Sequence, residues 1–531
     1  MLLPPPTSSF VRPLLTDYYQ ISMAYAYWRA GRHMDYAVFD LFFRSNPFNG
    51  QYTIFAGLEE VLRFVSNFAF SEEDLRTIKS INPHFEPEFL KFLSELNTDA
   101  LKIYAIDEGT VVFPRIPLIR IEGPLALAQL METTFLVLVN YASLITTNAA
   151  RHRVIVGDFR QLLEFGLRRA QGPDGGVSAS RYAYMGGFNA TSNVLAGQLF
   201  NLTVRGTHAH SFVSSFTSLH ELPSTTIKSA SGKTMEFVEL CLKYRDLLGS
   251  SSNLSELAAF ICFAQAFSSG FLALIDTYNV LTSGLPNFLS VALALHDAGF
   301  RAIGIRLDSG DLAYYSNVCR QKFEEISKKF TVPFENLTII ASSDINEDVL
   351  QALALEGHSI DCFGVGTHLV TCQKQPALGC VFKLVEVKNR PRIKVSADLA
   401  KMTIPGRKAV YRLFNAVGEP ILDLLSDAAE PPPQSGVKIR CNHPIESQKR
   451  CDVVASTVKP LLHLYWDRGE VMRPLQPLLQ VRERVQEQVK SLRADHVRYL
   501  NPTPYKVSLT THLFTNMQSL WLDETPVATI Q

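Results

Sequence analysis

Four clusters of residues combine cations, carboxylates, imidazoles and glycines in patterns that could do chemistry. The first lies in residues 164–176, EFGLRRAQGPDGG, where Arg168 and Arg169 precede a glycine-rich turn. Two guanidinium groups beside exposed backbone amides suit a phosphate or a diphosphate, because arginine presents planar bidentate donors. Taken alone, the segment fits a pair of arginines in a solvated surface loop equally well.

The second cluster contains two histidines, His208 and His210, in the segment GTHAHS of residues 206–211. If this segment is extended, both imidazoles lie on one face of the chain. They could bind a metal, act as a base or accept a phosphoryl group. A metal site needs a third ligand, and no cysteine or HExxH motif accompanies the pair. On this local evidence, hydrogen-bonded structural histidines are favoured over any one of these roles.

The third cluster, RLDSGD in residues 306–311, places Arg306 and Asp308 on the same side of a strand end. The cation suits an anionic substrate, and the carboxylate can accept hydrogen bonds from sugar hydroxyl groups. Gly310 lets the chain turn close to a ligand. A structural arginine–aspartate pair is the competing interpretation.

The fourth cluster is a series of small residues, comprising Gly364, Gly366 and Thr367 together with Ser342 and Ser343 one unit earlier. Glycines at consecutive strand ends allow backbone amides to surround a monophosphate. The four clusters together predict a site for a small sugar phosphate and a second anion. The sequence contains no GxxxxGK[ST] loop and no complete GxGxxG at a strand–helix turn, which disfavours a P-loop ATPase and a dinucleotide-dependent dehydrogenase.

A repeating strand–helix pattern between residues 160 and 370 must position these clusters. Apolar runs alternate with helical stretches about every thirty residues, as in successive βαβ units; the runs are residues 162–165, 202–204, 271–276, 302–308, 337–341 and 359–363. They are apolar throughout, which is typical of parallel strands covered on both faces. Six such units fit a barrel or an open doubly wound sheet, and both place ligands at the carboxyl ends of the strands.

We predict that residues 151–400 form a βα barrel-like domain and that the flanking segments form a second, more β-rich domain. Residues 1–150 mix helices with strand-like runs, whereas residues 401–531 contain a hairpin pattern near residues 408–425 and a helical tail. Residues 133–150 carry no charge, but their Asn, Ser and Thr side chains predict a buried helix rather than a membrane span.

The composition of the 531 residues excludes several classes of protein. Lys plus Arg and Asp plus Glu number 51 each, so the formal net charge is zero, which argues against a basic nucleic-acid-binding protein. Eight cysteines without a C-x-x-C pair predict reduced thiols rather than disulfides or a zinc site. We therefore expect a cytosolic protein that binds neither nucleic acid nor membrane. The low charged fraction, 19%, hints at a surface covered by another subunit.

Ordered motifs over most of the chain resemble the nicotinate phosphoribosyltransferase family. Besides the clusters above, they are LLTDYYQ at residues 14–20, GGFNATSNVLAG at 186–197, SGLPNFLSVALAL at 283–295 and PGRKAVYR at 405–412. The resemblance implies an α/β fold in which an incomplete parallel βα barrel, of the type II phosphoribosyltransferase kind, accompanies the second domain. It also implies a homodimer with active sites at the subunit interface.

The resemblance further implies transfer of a phosphoribosyl group from 5-phosphoribosyl 1-diphosphate to nicotinate. The products are nicotinate mononucleotide and diphosphate, and the reaction is the first step of NAD synthesis from nicotinate. In this family ATP is a co-substrate whose hydrolysis is coupled to the transfer through a phosphohistidine, and the corresponding residue here is His210. Mg²⁺ or Mn²⁺ is the implied metal, without implied protein ligands.

The resemblance also implies roles for individual residues. His210, Arg306 and Asp308 are the implied catalytic residues. Tyr19, Thr207 and Arg306 correspond to nicotinate-binding positions. The implied ligands of phosphoribosyl diphosphate are Arg168, Arg169, Asp308, Ser343, Gly364, Gly366 and Thr367.

Two positions depart from the family pattern, since Asn189 and Asn346 stand where relatives usually carry aspartate. Each change removes one carboxylate and any metal or hydroxyl contact that it would make. Two alternatives remain open. A nicotinamide-specific phosphoribosyltransferase would not need Arg306 to meet a carboxylate. A non-catalytic family member acting as a binding protein is expected to have lost motif residues, which this sequence retains.

Overall fold

The computed structural model of the chain describes residues 3–396 and 401–525. The chain divides into two compact units. The flanking unit consists of Met1–Ala150 and Cys372–Gln531, and the central unit consists of Arg151–Thr371. The first division therefore falls where the sequence pattern places it.

The N-terminal segment of the flanking unit mixes helices and strands. Its helices are α1 (Tyr18–Arg29), α2 (Leu58–Ser66), α3 (Glu72–Ile81), α4 (Pro87–Glu95), α5 (Leu125–Leu130) and α6 (Glu132–Val156), and α6 continues into the central unit. Its strands are β1 (Tyr36–Phe43), β2 (Thr53–Ile54), β3 (Lys102–Ile106), β4 (Val111–Val112) and β5 (Ile119–Pro124).

Helix α6 contains the long uncharged segment of the sequence. By length and composition the stretch Leu125–Val156 could cross a membrane, but 61% of its most apolar window is buried inside the structure. Its polar side chains have partners there, since the hydroxyls of Ser143 and Thr147 accept hydrogen bonds from the backbone N–H groups of Ala56 and Ile54, at 3.0 and 2.8 Å. The helix is thus a buried one, as predicted.

The central unit alternates strands and helices. Its strands are β6 (Gln161–Glu164), β7 (Ala190–Thr191), β8 (Thr226–Lys228), β9 (Thr234–Glu236), β10 (Leu272–Leu274), β11 (Gly304–Leu307), β12 (Thr338–Ala341) and β13 (Cys362–Val365). Its helices are α7 (Gly172–Met185), α8 (Val194–Phe200), α9 (His210–Ser214), α10 (Phe237–Leu247), α11 (Leu254–Ala266), α12 (Leu285–Asp297), α13 (Leu312–Phe330), α14 (Glu347–Glu356) and α15 (Thr367–Thr371), with 3-10 turns at Leu167–Arg169 and Leu219–Glu221 and a π-helical turn at Val280–Gly284.

Six of these strands form a parallel sheet in the order β10-β11-β12-β13-β6-β7. At one edge, Val204 forms a parallel bridge with Thr191 of β7. At the other edge, the backbone N–H of Leu274 in β10 donates to the imidazole of His208 at 3.2 Å. The segment from Val204 to His208 therefore contacts both edges, and the strands form the incomplete parallel barrel that the sequence predicts.

Apolar residues cover both faces of this sheet. One face presents a buried cluster of Leu163, Ala190, Leu272, Ile340 and Cys362. Because side chains alternate along a strand, their neighbours point to the opposite face, where Leu162, Ala273, Ile339 and Phe363 are also buried. Burial on both faces explains why the strands read as uninterrupted apolar runs.

The second division of the chain differs from the predicted one, because it falls at Thr371 and not at residue 400. The reason is the strand Cys380–Val387, which pairs antiparallel with β1 of the flanking unit. Within this pairing the rings of Phe39 and Phe382 stack at 4.9 Å. Cross-strand pairing between distant segments carries no local signal in the sequence, so the predicted boundary at residue 400 lies beyond the observed one.

The C-terminal segment completes the two sheets of the flanking unit. Its strands are β14 (Cys380–Val387), β15 (Arg390–Pro391), β16 (Lys408–Phe414), β17 (Pro420–Asp427), β18 (Lys438–Asn442), β19 (Arg450–Val454), β20 (Thr457–Pro460), β21 (Leu462–Asp467), β22 (Glu470–Val471) and β23 (Val507–Leu509), and its helices are α16 (Leu478–Ser491), α17 (Ala494–Val497) and α18 (Thr511–Asp523). The sheet orders are β15-β14-β1-β5-β3-β21-β22 and β19-β18-β23-β17-β16-β20. The predicted hairpin is present as β16 and β17.

A buried ion pair fixes the helix that follows β12. Arg151 near the end of α6 donates from Nε and Nη2 to the two carboxylate oxygens of Glu347, the first residue of α14, at 2.7 and 2.8 Å. Both side chains are buried. Two parallel charge-assisted hydrogen bonds restrict both distance and orientation, so the pair fixes the start of α14.

We expect Arg151→Met to lower the free energy of unfolding by about 3–5 kcal/mol, because it leaves the Glu347 carboxylate buried without its cation. The double variant Arg151→Met/Glu347→Met should recover much of that loss. Urea unfolding of the four proteins of this cycle measures both effects. Equal losses for the single and double variants would contradict the assignment.

Candidate active site

Most of the predicted site residues lie where the parallel strands end. We call this side of the sheet, formed by the carboxyl ends of all six strands, the carboxyl edge. The residues that follow each strand are Arg168 and Arg169 after β6, Asp276 and Thr277 after β10, Asp308 after β11, Ser342 and Ser343 after β12, and Gly366 and Thr367 after β13. Because all six strands are parallel, these ends face the same way.

The Arg306 guanidinium is held by groups from three neighbouring segments. Its Nε donates to the Ser342 hydroxyl at 2.7 Å, its Nη2 donates to Asp308 at 3.0 Å, and its Nη1 donates to the Thr207 hydroxyl at 3.4 Å. The Ser342 hydroxyl in turn donates to the same Asp308 oxygen. An arginine has five N–H donors, so one on each terminal nitrogen has no acceptor among the described residues. Two such donors suit a carboxylate.

A glycine makes room for the aromatic ring beneath this guanidinium. The Arg306 Cζ lies 5.3 Å from the centre of the Phe165 ring, a cation–π contact. A Cβ atom at Gly364 would lie 2.5 Å from that ring. Gly364 is itself buried inside β13. The absence of a side chain at Gly364 therefore makes room for Phe165, and its predicted contact with a phosphate stays a prediction.

His210 begins helix α9, and its imidazole faces two carboxylates. Its Nδ1 lies 3.1 Å from the Thr277 hydroxyl. Its Nε2 lies 3.7 Å from an oxygen of Asp308 and 4.0 Å from an oxygen of Asp276. The side chain is 45% exposed. If Nδ1 carries the proton and donates a hydrogen bond to the Thr277 hydroxyl, the Nε2 lone pair faces the open side of the site.

His208 and His210 have different surroundings. The residue between them, Ala209, is extended, and helix α9 begins at His210. His208 is buried, and its ring packs edge-on against Phe263 at 4.9 Å. Burial, with a smaller contribution from the nearby Arg306 charge, lowers the pKa of His208 to about 4. It is a neutral, hydrogen-bonded structural histidine.

Asp276 has a carboxylate oxygen that the rest of the chain does not satisfy. One oxygen accepts a hydrogen bond from the Ser309 hydroxyl. The other, Oδ1, is buried and has no hydrogen-bond partner among the described residues. A buried, unpaired carboxylate oxygen is costly unless a cation or a donor is supplied from outside. Ser342 belongs to the fourth predicted cluster, and Asp276 ends one of the predicted apolar runs. Thr277 was not predicted, although its place after that run was the available signal.

Glu164 shapes the loop that carries the two arginines. This buried residue ends β6 and accepts hydrogen bonds from the backbone N–H of Gly166 and from the hydroxyls of Ser180 and Thr191. Arg168 and Arg169 follow in an exposed 3-10 turn. Glu164 thus fixes the direction of the turn, and the arginines extend from it into solvent at the carboxyl end of the sheet.

The remaining predicted phosphate ligands surround the ends of β12 and β13. Ser343 is half-buried after β12, and Gly366 and Thr367 are half-buried after β13. A Cβ at Gly366 would lie 3.3 Å from the carbonyl oxygen of Phe165, so the backbones approach closely at this turn. Gly310, after β11, has φ +81° and would bring a Cβ to 2.4 Å from the Tyr315 ring, which explains the glycine there.

The two asparagines that replace aspartate have structural roles. The Asn189 side-chain oxygen accepts hydrogen bonds from the Leu162 backbone N–H at 2.9 Å and from Arg153 at 2.6 Å. The Asn346 side-chain oxygen caps α14 by accepting from the Val349 N–H at 3.0 Å. Both positions need an acceptor, which an amide oxygen supplies as well as a carboxylate.

Tyr19 belongs to the flanking unit, on α1. Its hydroxyl donates to Glu132 at 3.0 Å, and its side chain is nearly half exposed. Partial burial, followed by the Glu132 charge, raises the pKa of Tyr19, so the phenol stays protonated and can donate a hydrogen bond.

The chain matches three descriptions of one protein family along its length. "Nicotinate phosphoribosyltransferase (NAPRTase) family" matches residues 160–418. The corresponding N-terminal domain matches residues 14–140 and the C-terminal domain matches residues 407–517.

Relatives and a solved structure agree with this match. "Nicotinate phosphoribosyltransferase" of Dictyostelium discoideum is 52% identical, with 98% of this chain and 90% of the relative covered. "Nicotinate phosphoribosyltransferase 1" of Arabidopsis thaliana is 51% identical, with 98% and 96% covered. The crystal structure of human nicotinic acid phosphoribosyltransferase superposes with a TM-score of 0.86 at 41% identity, over 95% of this chain and 99% of that one.

We expect the buried, neutral His208 to make the protein acid-sensitive. The unfolded imidazole binds a proton below pH 6.5, but the folded one binds it only below about pH 4. Unfolding therefore takes up one proton between these values, and the free energy of unfolding should fall by about 3 kcal/mol across this range. His208→Gln keeps an acceptor for the Leu274 N–H and should remove this component. Urea unfolding between pH 4.5 and 7.5 measures it.

The matched control is His220→Gln, at an exposed histidine, which should keep the pH dependence of the parent. An unchanged pH dependence for His208→Gln would show that His208 titrates normally in the folded protein.

Proposed function

This chain belongs to the nicotinate phosphoribosyltransferase family, and we propose that its reaction takes place at the carboxyl edge of the parallel sheet, with His210 coupling it to ATP hydrolysis. The enzyme transfers a phosphoribosyl group from 5-phosphoribosyl 1-diphosphate to nicotinate, in the first step of NAD synthesis from nicotinate. Its products are nicotinate mononucleotide and diphosphate. The observation that carries the proposed location is the pair of free N–H donors on Arg306.

Arg306 is the proposed ligand of the nicotinate carboxylate. Its two free donors lie on different nitrogens of one guanidinium, a geometry that matches the two oxygens of a carboxylate. The Thr207 hydroxyl accepts a hydrogen bond from Nη1 of the same guanidinium. Nicotinamide carries a neutral amide with one oxygen acceptor and would leave a donor and the charge unmatched. This arrangement favours nicotinate over nicotinamide.

The transfer reaction requires that the substrates are oriented and that the charge of the leaving diphosphate is stabilised. Departure of diphosphate leaves an oxocarbenium-like sugar, and the neutral ring nitrogen of nicotinate attacks it without needing a strong base. Arg168 and Arg169 are the proposed ligands of the diphosphate, because they are exposed cations at the same edge. Asp308 is proposed to accept hydrogen bonds from ribose, and Ser343, Gly366 and Thr367 to donate to the 5-phosphate.

The residues present fit a Mg²⁺ ion shared with the substrate. Asp276 has a buried oxygen without a hydrogen-bond partner among the described residues, and Asp308, like Asp276, lies near Nε2 of His210. No group of three or more His, Cys, Asp or Glu within residues 3–396 and 401–525 could hold a metal alone. Magnesium commonly takes one or two carboxylates and completes its shell with phosphate oxygens and water. When bound, the ion supplies positive charge to the leaving diphosphate.

His210 is the proposed acceptor of the γ-phosphoryl group of ATP. When Nδ1–H donates a hydrogen bond to the Thr277 hydroxyl, the Nε2 lone pair is free to attack the γ-phosphorus of ATP. A P–N bond then forms, and ADP leaves. Water later cleaves that bond. Asp276 and Asp308 lie near Nε2, and a phosphoryl group there would add further negative charge beside the diphosphate position. This charge is proposed to reorder the segment around α9 during the cycle.

A homodimer in the cytosol is the proposed state of the enzyme. Helix α8, close in sequence to His210, exposes Val194, Leu195 and Leu199. Together with the low charged fraction of the chain, these apolar side chains support a surface that a second copy covers.

We expect Arg306→Gln to lower kcat/KM for nicotinate by about 10- to 100-fold, because a charge-assisted contact to the carboxylate is lost. Discrimination against nicotinamide should fall by a similar factor. Steady-state assays with both substrates measure the two effects. The matched control, Arg301→Gln, changes an exposed arginine just before β11 and should leave both values unchanged. A normal preference for nicotinate in Arg306→Gln would refute the assignment.

We expect His210→Ala to abolish the stimulation of nicotinate mononucleotide synthesis by ATP. It should also abolish acid-labile labelling of the protein by ATP carrying a radioactive γ-phosphate. The assay combines nicotinate and phosphoribosyl diphosphate with and without ATP, and His220→Ala is the control. Full ATP stimulation of His210→Ala would rule out the phosphohistidine, whereas failure of the parent to form nicotinate mononucleotide would contradict the activity itself.

A further inference from the structure

Two of the eight cysteines lie directly opposite each other on a hairpin of the flanking unit. Cys441 on β18 pairs with Cys451 on the antiparallel strand β19. Directly opposed residues have side chains on the same face and Cα atoms about 4.5 to 5.5 Å apart. Disulfides connect Cα atoms that are about 4.4 to 6.8 Å apart. The backbone therefore already places this pair within the range of a disulfide, although both thiols are free in the structure.

The two thiols are neighbours with unequal access to solvent. The Cys441 thiol donates to the Ile439 carbonyl oxygen at 3.7 Å. Burial raises the pKa of Cys441, and the neighbouring Cys451 contributes to that rise. Cys441 is 1% exposed and packs with Leu413 and Leu424 in an apolar core. Cys451 is exposed. A reagent in solution can thus reach Cys451. The buried Cys441 is the second thiol, which can react with the mixed disulfide formed at Cys451.

The surroundings of this pair are positively charged. Both cysteines line a groove of about 580 Å³ whose wall carries the cationic or titratable side chains Arg115, His443, Lys449, Arg450 and Lys506, and no Asp or Glu is among its lining residues in the described chain. The nearest acids along the chain, Glu446 and Asp452, form ion pairs with Lys449 and Arg440 respectively. Such a cationic groove attracts anions.

We propose that Cys441 and Cys451 form a reversible thiol–disulfide site whose oxidant is a small anionic disulfide of the glutathione type. The Cys451 thiolate attacks one sulfur of the oxidant, and the first small thiolate leaves. The Cys441 thiol then loses its proton to water and attacks the Cys451 sulfur, and the second small thiolate leaves. Two protein thiols are oxidised and one small disulfide is reduced to two thiols.

The first test treats the whole protein with oxidised glutathione and then blocks the remaining thiols with iodoacetamide under denaturing conditions. Peptide mass spectrometry should find a Cys441–Cys451 disulfide that dithiothreitol removes. The number of free thiols should fall from eight to six. Cys451→Ser should prevent this loss, and Cys262→Ser, which changes a cysteine on α11, should still lose two thiols. A stable mixed disulfide at Cys451 with Cys441 alkylated, or no reaction at either residue, would overturn the proposal.

The second test concerns the charge of the oxidant. Oxidised glutathione is anionic, whereas cystamine is a cationic disulfide of similar reactivity. At low ionic strength oxidised glutathione should form the Cys441–Cys451 bond at least about threefold faster than cystamine, and 0.5 M salt should reduce the difference because it screens the groove. Equal rates for the two reagents at low salt would overturn the assignment of an anionic oxidant.

Discussion

The hydrogen bonds that hold Arg306 at the edge of the parallel sheet are the constraint on which the rest of the site depends. Ser342, Asp308 and Thr207 come from three separate connections, and each accepts one of its N–H groups. They fix the plane of the guanidinium, and Phe165 supports it from below. Because two donors remain, the group is both fixed and able to bind a carboxylate. Asp308 also connects this anion-binding group to His210, so substrate recognition and the proposed phosphorylation share one carboxylate.

Local charge, rather than net charge, suits this site to its ligands. The chain has equal numbers of acids and bases, yet nicotinate, the sugar phosphate, diphosphate and the proposed co-substrate ATP are all anions. The parallel sheet resolves this by bringing Arg168, Arg169 and Arg306 to one edge. The carboxylates of Asp276 and Asp308 at the same edge repel these anions unless a divalent cation lies between them. This repulsion is the physical reason for the proposed Mg²⁺.

The sequence predicts those features that depend on local periodicity, and it misses those that depend on tertiary contacts. Runs apolar throughout identified β6, β10, β11, β12 and β13 but missed β7, and the predicted run 202–204 contains only a single bridge at Val204. The strand alternation placed Arg306 beside Asp308. The same alternation gave no indication that His208 is buried whereas the His210 side chain is 45% exposed. No local pattern predicts contacts between segments that are far apart in the chain. The pairing of β14 with β1 and the contact of His210 with Thr277 are of this kind. Gly364 was predicted as a phosphate ligand, but no local pattern indicated the Phe165 ring that a Cβ there would meet.

A crystal structure of the enzyme with nicotinate mononucleotide and diphosphate would show directly whether Arg306 binds the nicotinate carboxylate. We expect the carboxylate to lie about 2.8 Å from both terminal nitrogens of Arg306, with diphosphate beside Arg168 and Arg169 and the Asp308 carboxylate still hydrogen-bonded to the guanidinium. A carboxylate bound elsewhere, with the free donors of Arg306 facing water, would contradict this expectation.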